Sequence, residues 1–285
     1  MRDGFLRVAA ATPSVRVADP AYNREQIETI IRSEAARGTK VLVFPELALS
    51  AYTCGDLFLQ DALQEAVLRE LRQLLHNTAD SEVLCFVGLP FAFENRLYNA
   101  VAVFQKGELL GLVPKLHIPN YGEFYERRYF TRGFEAPVLV PLFGERLPFG
   151  ARLLFSCESL PELKIGVEIC EDLWVPNAPS IDLCTAGATL IVNCSASNAL
   201  AGKRKARREL VKAQSSKLIA GYVYASAGEG ESTQDLVFSA HNLIAEAGEV
   251  LAESPLLTNT VVASELDLKK ILFLRRRQSS YPGRD

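Results

Sequence analysis

The sequence predicts one mixed α/β domain, with short apolar strands sandwiched under helices. Three observations lead there. Segments of strand and helix character alternate through the first half, and the run Val41–Phe44 is wholly apolar, as a strand covered on both faces would be. No internal repeat or domain-sized linker interrupts the 285 residues. A domain of this length buries roughly 75% of the surface its unfolded chain exposes, ample for a core.

Phe5–Ala11 reads as a strand, and Asn23–Arg37 as a helix with Ile27, Ile30 and Ile31 on one face. After Val41–Phe44 comes a long helix marked by Leu63, Val67, Leu71, Leu74 and Leu75, then a buried strand at Val83–Leu89. Tyr98–Phe104 and Leu109–Val113 flank Lys106-Gly107, a hairpin turn signal. Pro114–Gly150 is rich in Pro, Gly and aromatics and reads as long functional loops. The second half resumes with strands at Lys164–Ile169, Thr189–Val192 and Ala220–Ala225, a helix near Ser180–Ala186 and a basic helix at Lys203–Leu218. Strand-like runs near Leu236–Ile244, Val250–Ala252 and Thr260–Val262 close the fold.

Composition narrows the function. With 48% hydrophobic and 23% charged residues, disorder, collagen and coiled coil are excluded. Net charge is −3, from 31 Lys+Arg and 34 Asp+Glu, too near neutral to steer the surface to nucleic acid or anionic lipid. The basic runs at 203–208 and 275–277 read instead as a solvated helix face or a domain contact. Asp3 and Arg7 break the opening apolar run, so no secretory signal is expected. The uncharged stretch 183–202 contains Asn193, Ser195, Ser197 and Asn198, which fits a buried strand and loop rather than a membrane span. Six cysteines without a CxxC pair read as reduced thiols of a cytoplasmic protein.

Chemistry concentrates at three strand ends. Glu46 follows Val41–Phe44 and Pro45, Lys115 follows Leu109–Val113, and Cys170 follows Lys164–Ile169 between Glu168, Glu171 and Asp172. Singly, these read as a helix-terminal charge, a solvated lysine and a buried thiol. The histidines compete poorly as bases: His76 lies near a helix end, His117 beside Lys115 reads as loop support, and His241 has no acid near it in sequence. Cys170 lacks the flanking glycines of a nucleophile elbow, which disfavours a Cys–His triad. No His/Cys cluster has metal-ligand spacing, and no GxxxxGK[ST] loop is present. The segment GEGEST at 228–233 reads as a glycine-rich loop near a pocket or interface.

Together, a Glu, a Lys 69 residues on and a Cys 55 residues further, each at a strand end, resemble the nitrilase-type carbon–nitrogen hydrolase superfamily over essentially the whole chain. The wording PELALSAYTCGDLF, KLHIPNYGEFYERRYF, GVEICEDLW, NCSASN and AGYVYASAGEGEST is similar to that of the glutaminase domains of glutamine-dependent NAD synthetases. The resemblance implies an αββα sandwich over residues 1–270, with 271–285 starting a linker to a synthetase domain absent from this chain. It implies Cys170 as nucleophile, Glu46 as general base and Lys115 beside the oxyanion, aided by the backbone N–H of Glu171. An extra glutamate orienting Lys115 is implied at Glu126 or Glu123, a choice left open. Tyr52, Tyr121, Phe124, Trp174 and Ser197 would line a glutamine pocket, with Lys203 meeting the carboxylate. Its alternative reading is the first cation of a solvated helix. No cofactor is expected for this step; ATP and Mg²⁺ would serve only the synthetase domain, which would be the partner, and a homo-oligomer is expected. The alternatives are a nitrilase-fold amidase acting on another small amide or carbamoyl amino acid, or a catalytically silent docking domain.

Overall fold

In a computed structural model describing residues 4–282, two β-sheets lie face to face between pairs of helices. The first half supplies β1 (Phe5–Ala11), α1 (Pro20–Ala36), β2 (Val41–Val43), α2 (Asp61–Asn77), β3 (Leu84–Phe93), β4 (Arg96–Gln105) and β5 (Glu108–Pro114). Next come β6 (Val138–Leu142), β7 (Glu145–Phe149), β8 (Phe155–Cys157), β9 (Leu160–Ile169) and α3 (Pro179–Thr185). The chain continues through β10 (Leu190–Ser195), α4 (Lys203–Leu218), β11 (Gly221–Ser226), β12 (Leu243–Glu246), β13 (Glu249–Glu253), β14 (Val261–Asp267) and α5 (Leu268–Arg277). One sheet runs in the order β14-β1-β2-β3-β4-β5-β7-β6 and the other β13-β12-β11-β10-β9-β8.

The period-2 pattern of the strands assigns the layers. Leu6, Val8 and Ala10 of β1, with Val41 and Val43 of β2, face the second sheet and meet Ile165, Val167, Val192 and Val223. Their neighbours Ala9, Ala11 and Leu42 face outward to Ile27 and Ile31 of α1 and to Leu63, Val67, Leu71 and Leu74 of α2. On the far side, Ile191, Tyr222 and Tyr224 turn away from the inter-sheet core toward Leu183 of α3 and Val211 and Leu218 of α4. The result is the αββα sandwich. Helix starts follow local chemistry: the Asp19 carboxylate accepts from Tyr22 N at 3.1 Å, with Pro20 in the first turn. At the β4–β5 turn, Lys106 and Gly107 both take positive φ (53° and 79°), as a two-residue hairpin turn demands.

Three expectations are corrected. Pro114–Gly150 is not all loop: β6 and β7 form an antiparallel hairpin at the sheet edge. Pro141 is tolerated on β6 because an edge strand need not use every N–H, while Pro148 lies on β7, whose pairing with β5 is confined to Leu112 and Phe149. Within Leu236–Ile244 only Leu243 and Ile244 belong to a strand; the preceding residues form a loop whose Phe238 bridges to Asn198. Residues 271–277 are not linker: they belong to α5, where Ile271 is buried and Arg275 donates to the carbonyls of Ala188, Leu218 and Ile219. No helix among the described residues is long and apolar enough to cross a membrane.

Candidate active site

Three strand ends, those of β2 and β5 in one sheet and of β9 in the other, deliver the three residues. β2 ends and the chain turns sharply through Pro45–Ser50, leaving Glu46 fully buried. Its backbone N–H reaches across to Ser195 O of the other sheet at 3.3 Å. This turn sits so close over β3 that a Cβ on Gly88 would lie 2.7 Å from the Glu46 carbonyl carbon, and nearer still to Pro45 O and Leu47 N. Only glycine permits that approach. Lys115 leaves β5 with its N–H on Asn99 O (2.8 Å) and its carbonyl accepting from Gly133 N (2.8 Å).

The lysine expected to be solvated when read singly is instead wholly buried between two carboxylates. Its Nζ lies 2.5 Å from Glu46 Oε1, 2.7 Å from Glu126 Oε1 and 3.0 Å from Glu126 Oε2. Asn99 Nδ2 adds a bond to Glu46 Oε1 at 2.6 Å, and the Tyr52 hydroxyl one to Glu126 Oε1 at 2.7 Å. The carboxylate beside Lys115 is therefore Glu126; Glu123 bonds Asn198 instead. The second oxygen of Glu46, Oε2, is buried and has no hydrogen-bond partner among the described residues. An acceptor with an unused lone pair is what a general base requires.

Burial, reinforced by the negative charge of Glu126, raises the pKa of Glu46 despite the opposing pull of Lys115. Burial would discharge Lys115, but Glu126 and Glu46 more than offset that and hold its pKa well above the usual lysine range. Cys170 ends β9 in a single 3₁₀ turn (Cys170–Leu173), with φ +44°, left-handed backbone that a non-glycine residue adopts only when its surroundings impose it. Burial and then the Glu46 charge push its thiol up, while Lys115 pulls it down. Cys54, Cys85, Cys184 and Cys194 are also buried and pushed up, but Lys115 acts on none of them.

Two polar networks impose that strained turn. The Asp172 carboxylate accepts from Ile169 N at 3.0 Å and also from His117 N and Nδ1, each at 2.8 Å, tying the cysteine turn to the residues after Lys115. Asn193 Oδ1 accepts from Cys170 N at 3.0 Å, its Nδ2 donates to Tyr222 Oη at 3.1 Å, and that hydroxyl donates to Glu168. Burial raises the pKa of Glu168 to about 7. Neither Asp172 nor Asn193 was assigned a role by sequence, nor was Asn99. Their one signal is a polar side chain inside an otherwise apolar strand, or beside Cys170, where an unpartnered group would be costly.

The proposed pocket residues divide. Tyr121, Phe124, Trp174 and Lys203 gather: Tyr121 Oη donates to Glu171 Oε1 at 2.8 Å, and Lys203 Nζ lies 5.4 Å from the Phe124 ring centre and 5.5 Å from that of Trp174. Lys203 is half-buried rather than solvated, and burial lowers its pKa. Tyr52 packs edge-on against Phe238 and bonds Glu126. Ser197 is buried, its hydroxyl accepting from Arg207. The run 203–208 is thus not simply a solvated face, since Arg207 is fully buried within it. His241 does have an acid partner: Nε2 lies 2.9 Å from Glu253 Oε1, contributed by β13. In the GEGEST loop, the Glu231 carboxylate accepts from Tyr52 N (2.7 Å) and Thr53 N (3.0 Å), fastening that loop to the segment after Glu46. A cavity of about 110 Å³ reaches Tyr52 and Glu126, and an open cleft of about 660 Å³ reaches His117, Tyr121 and Glu171. No group of three or more His, Cys, Asp or Glu among the described residues is placed to hold a metal ion.

An αββα sandwich with Glu, Lys and Cys converging from three strand ends defines a carbon–nitrogen hydrolase, and the family model "Carbon-nitrogen hydrolase" matches residues 7–276; the chain belongs to that family. It is similar to the glutamine-dependent NAD(+) synthetase of Mycobacterium tuberculosis (strain ATCC 25618 / H37Rv), 40% identical over 274 residues that span 96% of this chain and 40% of the relative. Among solved structures it resembles a glutamine-dependent NAD(+) synthetase from Cytophaga hutchinsonii, with TM-score 0.83, 26% identity, and coverage of 92% of this chain and 43% of that one. An amidase of the nitrilase superfamily from Nesterenkonia shares the fold at TM-score 0.74, 19% identity, and coverage of 97% and 96%. The chain spans 40% of the length of the mycobacterial synthetase.

Proposed function

We propose that this chain hydrolyses glutamine to glutamate and ammonia through a thioester on Cys170. The observation that carries the reading is Lys115, buried between Glu46 and Glu126 beside a strained cysteine. Glu46 Oε2 takes the thiol proton as Sγ attacks the side-chain amide carbon of glutamine. The oxyanion of the tetrahedral adduct is balanced by the Lys115 ammonium and the Glu171 N–H; the Cys170 N–H is already committed to Asn193. When the C–N bond breaks, Glu46 returns its proton to the departing nitrogen, which leaves as ammonia. A water then attacks the thioester, again losing its proton to Glu46. Glutamate departs, and that proton restores the thiol.

The likeness to glutamine-dependent NAD synthetases supports glutamine as the amide. It also supports a synthetase region beyond this chain that uses the ammonia to amidate deamido-NAD with ATP and Mg²⁺. Cytoplasmic location and assembly into a homo-oligomer belong to the same proposal.

Ammonia release from glutamine, compared with asparagine, a nitrile and a carbamoyl amino acid, tests the substrate. A glutamine-like diazo-ketone should leave one adduct, on Cys170. Preferred turnover of another amide would support a different amidase. A folded protein that neither turns over any amide nor forms the adduct, alone or with a supplied synthetase domain, would sink the reading.

A further inference from the structure

Around Lys115 the donors and acceptors do not balance. The ammonium directs its protons at Glu46 Oε1 (2.5 Å), Glu126 Oε1 (2.7 Å) and Glu126 Oε2 (3.0 Å), and the Tyr52 hydroxyl donates to Glu126 Oε1 at 2.7 Å. The Asn99 amide gives one N–H to Glu46 Oε1 at 2.6 Å and turns the other toward Glu126 Oε2 at 3.4 Å. Every side-chain donor on Lys115, Tyr52 and Asn99 is therefore spent. Two acceptors are not: Glu46 Oε2 and Asn99 Oδ1 are buried and have no partner among the described residues.

The orientation of the Asn99 amide is forced. Its neighbours Glu46 Oε1 and Glu126 Oε2 are carboxylate oxygens, so the amide nitrogen faces them and Oδ1 is the atom left over. Asn99 lies on β4, where Val101 and Val103, two and four residues on, pack into the inter-sheet layer that also holds Cys170. A carboxamide buried at that layer is costly unless its oxygen meets a donor.

A primary amide supplies what is missing. Its nitrogen carries two N–H donors, and ammonia carries three, whereas a methyl ester or a nitrile offers none at the corresponding atom. We propose that Asn99 Oδ1 accepts an N–H of the leaving nitrogen, making Asn99 a catalytic residue that selects primary amides over esters and nitriles. In the tetrahedral adduct Glu46 Oε2 holds the thiol proton. As the C–N bond breaks, its electron pair passes to the nitrogen, which takes that proton from Glu46. Asn99 Oδ1 holds one of the N–H groups meanwhile and stabilises the positive charge that gathers on the nitrogen. The carbonyl re-forms as the thioester and ammonia leaves. This rests on the amide-hydrolase reading and adds a basis for its selectivity, since an ester oxygen sets a lone pair, not a proton, against Oδ1.

Glutamine and its γ-methyl ester form the same thioester on Cys170, and both need Glu46 for the thiol proton; they differ in the leaving atom. Measuring kcat/KM for each, in parent and Asn99→Leu, separates the two ends of the Asn99 side chain. Loss of the Nδ2 bond to Glu46 lowers both substrates, and loss of Oδ1 lowers glutamine alone. The ratio of glutamine to ester kcat/KM is expected to fall about 10- to 100-fold, the effect of one hydrogen bond to a nitrogen gaining charge. Asn99→Ala, which opens space instead of filling it, should shift the ratio the same way, and ester turnover shows that each variant is folded. An unchanged ratio, or a larger loss on the ester, would overturn the inference and leave Asn99 as a support for Glu46. If the parent prefers another primary amide, the ratio is taken against the methyl ester of that compound; dependence on Asn99 there upholds the inference while the glutamine reading falls. A parent that cleaves the ester and no amide would overturn both.

Discussion

Lys115 Nζ lies 2.5 Å from Glu46 Oε1, with both side chains withdrawn from solvent. At this depth neither charge survives without the other. Removing the ammonium leaves two carboxylates, Glu46 and Glu126, facing each other in a low-dielectric site. Lys115→Ala should therefore destabilise the fold by about 3–5 kcal/mol, besides abolishing turnover. Urea unfolding, followed with ammonia release, measures both. A variant as stable as the parent would show that the carboxylates take up protons at little cost.

The raised pKa of Glu46 fixes the sign of the pH dependence. The base must be ionised to accept the thiol proton, so kcat/KM rises with pH through the pKa of Glu46, and this acid limb lies above the ordinary carboxylate range. Glu126 contributes to the upward shift by like-charge repulsion. In Glu126→Gln the limb should move to lower pH, even as the rate falls because Lys115 loses a partner. The pH profiles of parent and variant check this; a limb that stays in place or moves up would assign it to another group.

Gly88 gives a purely steric test. A Cβ there would overlap the backbone of Pro45–Leu47. Gly88→Ala must push the turn outward, carrying Glu46 off Lys115. Turnover should fall by at least about 100-fold, as expected for misplacement of a base by about an ångström. The rate of Cys170 alkylation should change with it, which a thermal melt alone would not reveal. Retained activity would mean that β3 can yield instead.

Glu168 makes a separate contribution to stability against pH. Its folded pKa is raised to about 7 by burial, so the folded state holds a proton that the unfolded chain releases near 4.5. Stability from this group is complete below about 4.5 and is lost as pH rises toward 7. Glu168→Gln should flatten that decline, measured as the difference in unfolding free energy between pH 5 and pH 8. An equal slope in parent and variant would place the titration elsewhere.

Asp172 links the cysteine turn to the residues after Lys115. Asp172→Ala leaves Ile169 N and His117 N without their acceptor, at about 1–3 kcal/mol for a buried donor left unmade. Relief of the positive φ at Cys170 should follow, read as slower alkylation and lower kcat with KM for glutamine less affected.

Much of this was legible in the chain itself. The five apolar positions of α2 and the alternation along β1 and β10 are local periodicities, and the folded layers follow them. Glu46, Lys115 and Cys170 stood out because each directly follows, or lies one proline beyond, a strand-like run. Two of those runs end in one sheet and the third in the sheet that faces it. The positions of His76, His117 and His241 made each a poor candidate for the base.

What the tertiary structure alone decided depends on pairs far apart in sequence. Which glutamate flanks Lys115, whether Lys203 is buried, and what holds Cys170 in a left-handed turn all turn on contacts such as Glu123 with Asn198, Asp172 with His117 and Asn193 with Cys170. A polar residue advertises no partner until packing removes water from around it, because in solvent any of these groups is satisfied without another. Burial is what converts each from a surface polar group into a fixed contact, and burial is a property of the assembled layers.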